Sequence, residues 1–170
     1  MAYVDTSVIL AKYLQNDDFQ AKAAEFLRTR GTKFVSPISL VELAAVLSRS
    51  ELKLEAPPEL SEQTPRRRIR ALVEFMIRDS DLFPISVNVQ VKLRITKASL
   101  TVPIEYQSCI RLAHALRLKT LDLIHLSYAD SLKRSGYELD AFVTFDKDIL
   151  ARSEDIRNET AIEVKQPTAS

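Results

Sequence analysis

Acidic residues stand at four points of this chain where the neighbouring residues are apolar. Asp5 follows the first apolar segment, in MAYVDTSVIL, and Asp146 follows another, in AFVTFDKDIL. Glu42 lies within SPISLVELAAVL, and Asp122 lies within LKTLDLIHLSYA. A carboxylate in such surroundings is costly unless it is paired, hydrogen-bonded or bound to a metal ion. These four residues are therefore the first candidates for chemistry.

Each acid also has a simpler interpretation at a helix N-terminus. Asp5 and Asp146 belong to the residue types that cap the helices following them. Ser39 and Glu42 match the capping-box pattern S-x-x-E. Asp122 would lie in the first turn of its helix, behind a threonine cap, where the helix dipole favours an acid. Taken one at a time, the acids do not decide between capping and catalysis.

The joint placement of the acids favours a shared site. Asp5 and Asp146 end strands predicted near the middle of a sheet, and Glu42 and Asp122 open helices that start at the same edge. Ligands of parallel α/β sheets collect beyond the carboxyl ends of the strands. Carboxylates gathered there repel one another unless some are protonated or a divalent cation binds. Oxygen ligands without a set of His or Cys favour a hard cation, Mg²⁺ or Mn²⁺.

Two neighbours of these acids are weaker candidates. Asp148 lies two residues after Asp146 and is interpreted as a supporting residue or a spare ligand. His125 lies three residues after Asp122, but a lone histidine among leucines is more often a packed, hydrogen-bonded side chain than a ligand.

Composition excludes several other classes of site. The 170 residues suit one domain, and the two glycines are too few for a Gly-rich phosphate loop. A single cysteine, Cys109, excludes an internal disulfide and a cysteine zinc site. The net charge of +1 is low for a protein that binds nucleic acid by bulk charge. With no signal peptide or membrane span in the sequence, we expect a cytoplasmic protein.

Apolar periodicity predicts strands that alternate with helices. The predicted strands are 3–5, 33–36, 82–85, 141–144 and a weaker 161–164. The predicted helices are 8–14, 19–30, 38–50, 65–78, 87–99, 105–118 and 121–135, and the helix at 38–50 should be largely buried. Residues 53–64 carry two prolines and are predicted to be a loop. This order predicts a three-layer α/β fold, with a central parallel sheet of about five strands flanked by helices.

The ordered set of motifs resembles the PIN-domain family, and most closely the VapC-like toxins of prokaryotic toxin–antitoxin pairs. The matching segments are VDTSVIL at the start, SLVELAAVLSR near residue 40, LKTLDLIHLSYA near 120 and FVTFDKDIL near 145. Their order fits over essentially the whole chain. The resemblance implies a five-stranded parallel sheet, cleavage of RNA that depends on Mg²⁺ or Mn²⁺, frequent homodimers and a small antitoxin partner.

The resemblance also assigns roles to individual residues. The family's four catalytic, metal-binding acids map onto the four acids named above, and its two hydroxyl positions map onto Thr6 and Thr144. In this interpretation a metal ion activates a water and neutralises charge on the scissile phosphate. Glu42 is a fourth ligand or orients the attacking water.

The chain is longer than typical single-domain toxins of this kind. The extra length is predicted to lie in insertions near 52–66 and 86–104. Residues 1–164 are expected to form a single nuclease domain, and residues 165–170 a frayed tail.

Basic residues suggest where a substrate could bind. Arg66, Arg67 and Arg68 open a predicted helix, where cations oppose the helix dipole and an external anion would compensate. That anion would be an RNA phosphate or an acid of a partner, and a solvated helix face is the alternative. Lys12 and Lys147 lie close in sequence to the site acids and could line the cleft.

Other functions remain open at this point. An RNA-processing nuclease of the same family, acting in rRNA maturation, would carry the same acids, and so would a catalytically silent interaction module. A phosphatase-like domain is disfavoured, because Ser7 occupies the position of its second acid.

Overall fold

The computed structural model describes residues 1–49, 52–60 and 62–168. The strands are β1 Ala2–Val4, β2 Lys33–Val35, β3 Leu82–Pro84, β4 Gln90–Ile95, β5 Ala98–Pro103, β6 Ala141–Val143 and β7 Glu163–Lys165. The helices are α1 Thr6–Tyr13, α2 Gln20–Arg28, α3 Pro37–Arg49, α4 Pro65–Asp79, α5 Ile104–Leu116, α6 Thr120–Arg134, α7 Lys147–Leu150 and α8 Ser153–Thr160. None of the helices in the described ranges has the length and apolarity of a membrane span.

Five strands form one parallel sheet in the order β3-β2-β1-β6-β7. The predicted central parallel sheet is confirmed. Because β1 and β6 pair with each other at its centre, Asp5 and Asp146 follow adjacent strands. Lys165, predicted to begin the tail, is the last residue of β7. The predicted helix at 38–50 included Ser50, the predicted insertion at 52–66 included Ser61, and the predicted tail included the last two residues. These four residues lie outside the described ranges.

Two hydrophobic clusters cover the two faces of the sheet. Tyr3 and Phe142 belong to one cluster, and their neighbours Val4 and Val143 belong to the other. Successive residues of a strand point to opposite faces, so the short central strands are apolar throughout. The helices of both outer layers pack against these side chains.

The expectation that α3 is largely buried is wrong. Only Ser39 and Leu43 of this helix are buried, and Val41 is 61 % exposed. The helix packs by one face, so its outer apolar residues contact solvent.

The predicted helix at 87–99 is also wrong, because this segment lies in an antiparallel hairpin of β4 and β5. In VNVQVKLRI the apolar residues recur at every second position, which favours a strand over a helix. Thr96, with φ of 52°, forms the two-residue turn together with Lys97. The hairpin occupies residues 90–103 of the segment predicted to be an insertion, 86–104, and the insertion itself stays a prediction. Within the insertion at 52–66, the described residues include a short 3₁₀ helix at Pro58–Leu60.

Lys12 connects α1 to the end of α4, and its hydrogen bonds go to residues other than the four candidate acids. Its Nζ donates to Asp79 Oδ2 at 2.8 Å and to Ser80 Oγ at 3.0 Å. The Tyr13 hydroxyl donates to the same carboxylate oxygen at 2.8 Å. Hydrogen bonds from Lys12 and Tyr13 hold the pKa of Asp79 below its usual value.

We expect Lys12→Met to lower the free energy of unfolding by about 1 kcal/mol at pH 7, a value kept small because the Asp79 side chain is 46 % exposed. A carboxyl with a lowered folded-state pKa stabilises above its unfolded pKa and loses this contribution as pH falls. The difference from the unchanged protein should therefore shrink below about pH 4. Urea denaturation of both proteins across pH 3–8 measures this difference in the free energy of unfolding. An equal difference at all pH values would contradict the pairing.

Candidate metal centre

Four acids from separate segments meet at the carboxyl edge of the sheet. Asp5 and Glu42 each bring a carboxylate oxygen, and His125 a ring nitrogen, to within 4.8 Å of one another. Burial raises the pKa of Asp122 to about 6, with further contributions from the charges of Asp146 and Asp5. Asp122 is therefore close enough to Asp5 and Asp146 to be repelled by their charges, although neither Asp122 nor Asp146 belongs to the group of atoms within 4.8 Å that the described residues form.

Hydroxyl groups hold the carboxylate of Asp5. The side chain is 6 % exposed, and its Oδ2 accepts from Ser7 Oγ at 2.6 Å and from Thr144 Oγ1 at 2.7 Å. Although Asp5 precedes α1, its side chain makes no capping hydrogen bond, so the capping interpretation is wrong here. The two hydroxyls orient the carboxylate towards the other acids instead of towards the helix.

Thr144 links Asp5 to Asp146. Its Oγ1 accepts from the backbone N–H of Asp146 at 2.9 Å while donating to Asp5. Asp146 caps α7, since its Oδ1 accepts from the backbone N–H groups of Asp148 at 2.7 Å and Ile149 at 3.2 Å. For Asp146 the capping interpretation is correct, and it does not exclude a second role. Asp148 is exposed, and its carboxylate forms an ion pair with Lys119 at 2.8 Å. This pairing does not favour the interpretation of Asp148 as a spare ligand.

Glu42 does not form the predicted capping box. Helix α3 begins at Pro37, so Ser39 lies inside the first turn, where its Oγ is 3.3 Å from Ser36 Oγ. The Glu42 carboxylate lies 2.9 Å from Nε2 of His125. Burial raises the pKa of Glu42, but hydrogen bonds from His125 and Thr6 outweigh it and leave the pKa lowered.

A chain of buried polar groups positions His125. Its Nδ1 lies 2.9 Å from the Tyr3 hydroxyl, which lies 2.7 Å from Ser36 Oγ. Burial raises the pKa of Tyr3, so the phenol stays protonated and is able to donate to Nδ1. An ionised Glu42 accepts only, which assigns the ring proton to Nε2. A nitrogen that donates to Glu42 is not free to bind a metal ion, so His125 positions Glu42 instead.

The residues present fit a hard divalent cation. Asp122 Oδ2 is buried without a hydrogen-bond partner among the described residues. Within the described ranges, no lysine or arginine forms an ion pair with Asp5, Asp122 or Asp146. Carboxylate and hydroxyl oxygens are the ligands that Mg²⁺ and Mn²⁺ prefer.

Comparison with known proteins agrees with this geometry. The family model described as PIN domain matches residues 2–155. The chain belongs to the PIN-domain family. A search of curated proteins gave no significant match.

Solved structures with the same PIN fold come from toxin–antitoxin complexes. A chain of VapBC2 from Rickettsia felis, bound to a DNA fragment from its promoter, superimposes with a TM-score of 0.57 at 16 % identity. A chain of VapBC-1 from nontypeable Haemophilus influenzae gives a TM-score of 0.56 at 15 % identity. Each alignment covers 98 % of this chain and 98 % of the other. At this level of identity the likeness shows the fold alone.

The basic residues that the sequence suggested for substrate binding lie on different helices of this PIN domain. Arg66, Arg67 and Arg68 are exposed in the first turn of α4, and Lys147 is exposed in α7 beside Asp146. At the start of α4, Pro65 and Arg68 line a cavity together with Leu47 and Ser48 from the end of α3, whereas Glu42 lies in the first half of α3. Lys119, at the start of α6, has its pKa raised mainly by Asp148, with smaller effects of Asp122 and Asp146.

Sequence reasoning missed several residues that shape the centre. Ser7 and Tyr3 gave no signal, because their roles depend on partners far along the chain. His125 was seen, but its bond to Glu42 joins two helices and leaves no local pattern. Lys119 was detectable as the cation just before the helix that carries Asp122.

Asp130 shows what a structural acid looks like in the same fold. It is 1 % exposed, and its carboxylate accepts from Arg111 at 2.8 Å, from Arg134 at 3.0 Å and from Ser108 at 3.1 Å. Two arginines thus compensate this buried charge, whereas the acids of the centre have no such partners.

Removing the charge of Asp122 and removing that of Asp130 should therefore change the free energy of unfolding in opposite directions. Without metal, Asp122→Asn should raise the free energy of unfolding by about 1 kcal/mol, because it relieves repulsion. Asp130→Asn should lower it by about 2 kcal/mol, because the buried carboxylate that accepts from Arg111, Arg134 and Ser108 loses its charge, although Arg111 keeps its ion pair with Glu159. Urea denaturation in EDTA measures both. Equal destabilisation by the two substitutions would contradict the contrast.

The proton of His125 is directly observable, since the chain has only two histidines. In protein labelled with ¹⁵N-histidine, we expect long-range ¹H–¹⁵N correlations to show a proton on Nε2 of His125. That proton should persist when Mg²⁺ or Mn²⁺ is replaced by diamagnetic Zn²⁺. His114→Gln, in the exposed part of α5, assigns the signals and serves as the control. A bare Nε2 that shifts on adding Zn²⁺ would identify a metal ligand instead.

Proposed function

We propose that this protein is a metal-dependent endoribonuclease, the toxin of a toxin–antitoxin pair, which hydrolyses RNA phosphodiester bonds. Its catalytic residues and metal ligands are Asp5, Glu42, Asp122 and Asp146. The observation that carries the proposal is that Asp5 lies near Glu42 and, with Asp146, near Asp122, while no lysine or arginine among the described residues forms an ion pair with Asp5, Asp122 or Asp146. Membership of the PIN-domain family supports it, because members of that family are usually nucleases.

The chain's own residues prepare the centre for a cation and a phosphate. Ser7 and Thr144 fix the Asp5 carboxylate, and His125 fixes that of Glu42. Bound between these acids, Mg²⁺ or Mn²⁺ would supply a water of lowered pKa and would offset the charge of the scissile phosphate. Because the pKa of Glu42 is lowered, its carboxylate is ionised at neutral pH and is able to orient an attacking water through a hydrogen bond.

Substrate and partner contacts belong to the same proposal. Single-stranded RNA would approach the carboxyl edge, where Lys147 and Lys119 offer positive charge to its phosphates, and Arg66, Arg67 and Arg68 of α4 would contact phosphates further along the strand or an acid of the partner. The VapBC neighbours favour a small antitoxin protein as partner. A homodimer in the cytoplasm is expected from the resemblance to VapC-like toxins.

Asp5→Asn should keep the fold and reduce Mg²⁺-dependent cleavage of RNA by about 100-fold or more, because it removes a charged ligand from the centre. Cleavage of total RNA with Mg²⁺, followed by sequencing of the new ends, measures the loss and identifies the target. EDTA should abolish cleavage by the unchanged protein, and excess Mn²⁺ should restore it.

Asp155→Asn is the matched control, because Asp155 is exposed and forms an ion pair within α8. It should cleave like the unchanged protein. Full cleavage by a folded Asp5→Asn protein would refute the site. Cleavage confined to precursor rRNA would favour an RNA-processing nuclease over a toxin.

A further inference from the structure

A small cavity lies between helices of which two also carry residues of the metal centre. It has a volume of about 180 Å³ and lies between the first turns of α3 and α5 and one face of α6. Its apolar walls include Ile38, Val41 and Ile124. Val41 and Ile124 directly precede Glu42 and His125 in the chain, so the cavity and the centre share two helices. A strand of RNA with a phosphate at the centre would pass this cavity.

Glu105 lines the cavity and lacks a donor. The side chain is 3 % exposed, and its Oε2 is buried without a hydrogen-bond partner among the described residues. The N-terminus of α5 favours an acid at this position through the helix dipole. The dipole does not supply a hydrogen bond to Oε2, and a buried acceptor without a donor is costly. A ligand that donates a hydrogen bond would remove this cost.

Two tyrosines complete the cavity. Tyr106, at its mouth, is 56 % exposed, and Tyr128 lies deeper. Burial raises the pKa of Tyr128, and the charges of Glu105 and Tyr106 add to this effect. The three side chains therefore lie near one another, with aromatic rings beside an unpaired acceptor.

We infer that this cavity holds one base of the RNA strand bound at the metal centre, and that Glu105 selects a base with an amino group, guanine above all. The inference rests on the proposed function. A carboxylate accepts and does not donate. Guanine offers two adjacent N–H donors on its Watson–Crick edge, whereas uracil offers one between two carbonyl oxygens that would face the carboxylate.

The size and the walls of the cavity suit a base. Its volume is below the roughly 300 Å³ at which pockets for small molecules begin, so it has room for one ring system and not for a cofactor. Proteins that read single-stranded RNA stack bases on aromatic side chains and bind their Watson–Crick edges. The arginine side chain of a protein partner would also pair with Glu105. The helices shared with the metal centre favour the base.

Binding of mononucleotides tests the cavity without any cleavage. NMR titration should show that GMP binds about tenfold more tightly than UMP, and that Glu105→Gln removes this preference. Tyr106→Ala, at an exposed position that the fold does not require, should weaken both nucleotides alike because it removes stacking. Glu154→Gln, an exposed acid of α8, is the control and should change neither affinity. Equal affinities of GMP and UMP for the unchanged protein would overturn the inference.

Cleavage of an RNA library with random positions separates this inference from the proposed function. We expect a preference for guanine beside the cleaved bond that is lost in Glu105→Gln. Cleavage whose sequence preference is unchanged by Glu105→Gln would refute the base pocket and leave the nuclease intact. Selective binding of GMP by a protein that cleaves no RNA would refute the nuclease and leave the pocket. If Glu105→Gln changes only the oligomeric state or the retention of a protein partner, the cavity receives a protein side chain and the inference is wrong.

Discussion

Repulsion between like charges at the carboxyl edge of the sheet is the constraint on which the rest of this structure depends. Two unit charges 4 Å apart repel by about 4 kcal/mol at an effective dielectric constant of about 20. A hydrogen bond to a charged group contributes about 1.5–3 kcal/mol. The hydroxyls that hold Asp5 therefore offset only part of the repulsion from its neighbours. The rest of this repulsion must be offset by the packing of the sheet and helices, which holds the acids in these positions.

The two central strands provide this rigidity. β1 and β6 pair in register and are buried on both faces, so the loops after them have fixed starting points. Tyr3 joins the core to the centre, since its ring stacks on Phe142 at 5.1 Å and its hydroxyl reaches His125. A single side chain of the core thereby sets the orientation of Glu42 through the histidine between them. The position of the Glu42 carboxylate depends in this way on packing between the two central strands.

The order of strands and helices could be predicted because it rests on local periodicity and on the apolar character of buried strands. The meeting of the acids followed from the topology of a parallel sheet, which brings the ends of its strands to one edge. The hairpin at 87–99 was misassigned, because β-branched residues were accepted as helical despite their period of two. The roles of Ser7 and His125 could not be predicted, since each depends on a contact between distant segments.

The function of a buried acid depends on its partners more than on its residue type. Asp122 and Asp130 lie eight residues apart on α6, and among the described residues Asp130 has two arginine partners whereas Asp122 has none. Part of this difference can be predicted from the sequence, because Arg134 follows Asp130 by four residues and can reach it along the helix. Asp122 has leucines four residues before and after it, and Glu42 has Ile38 and Val46. An acid without a cation at these spacings must be compensated from outside its helix. Among the described residues no lysine or arginine forms an ion pair with Asp5, Asp122 or Asp146, so a cation from solution would compensate charges that the sheet and helices leave unpaired.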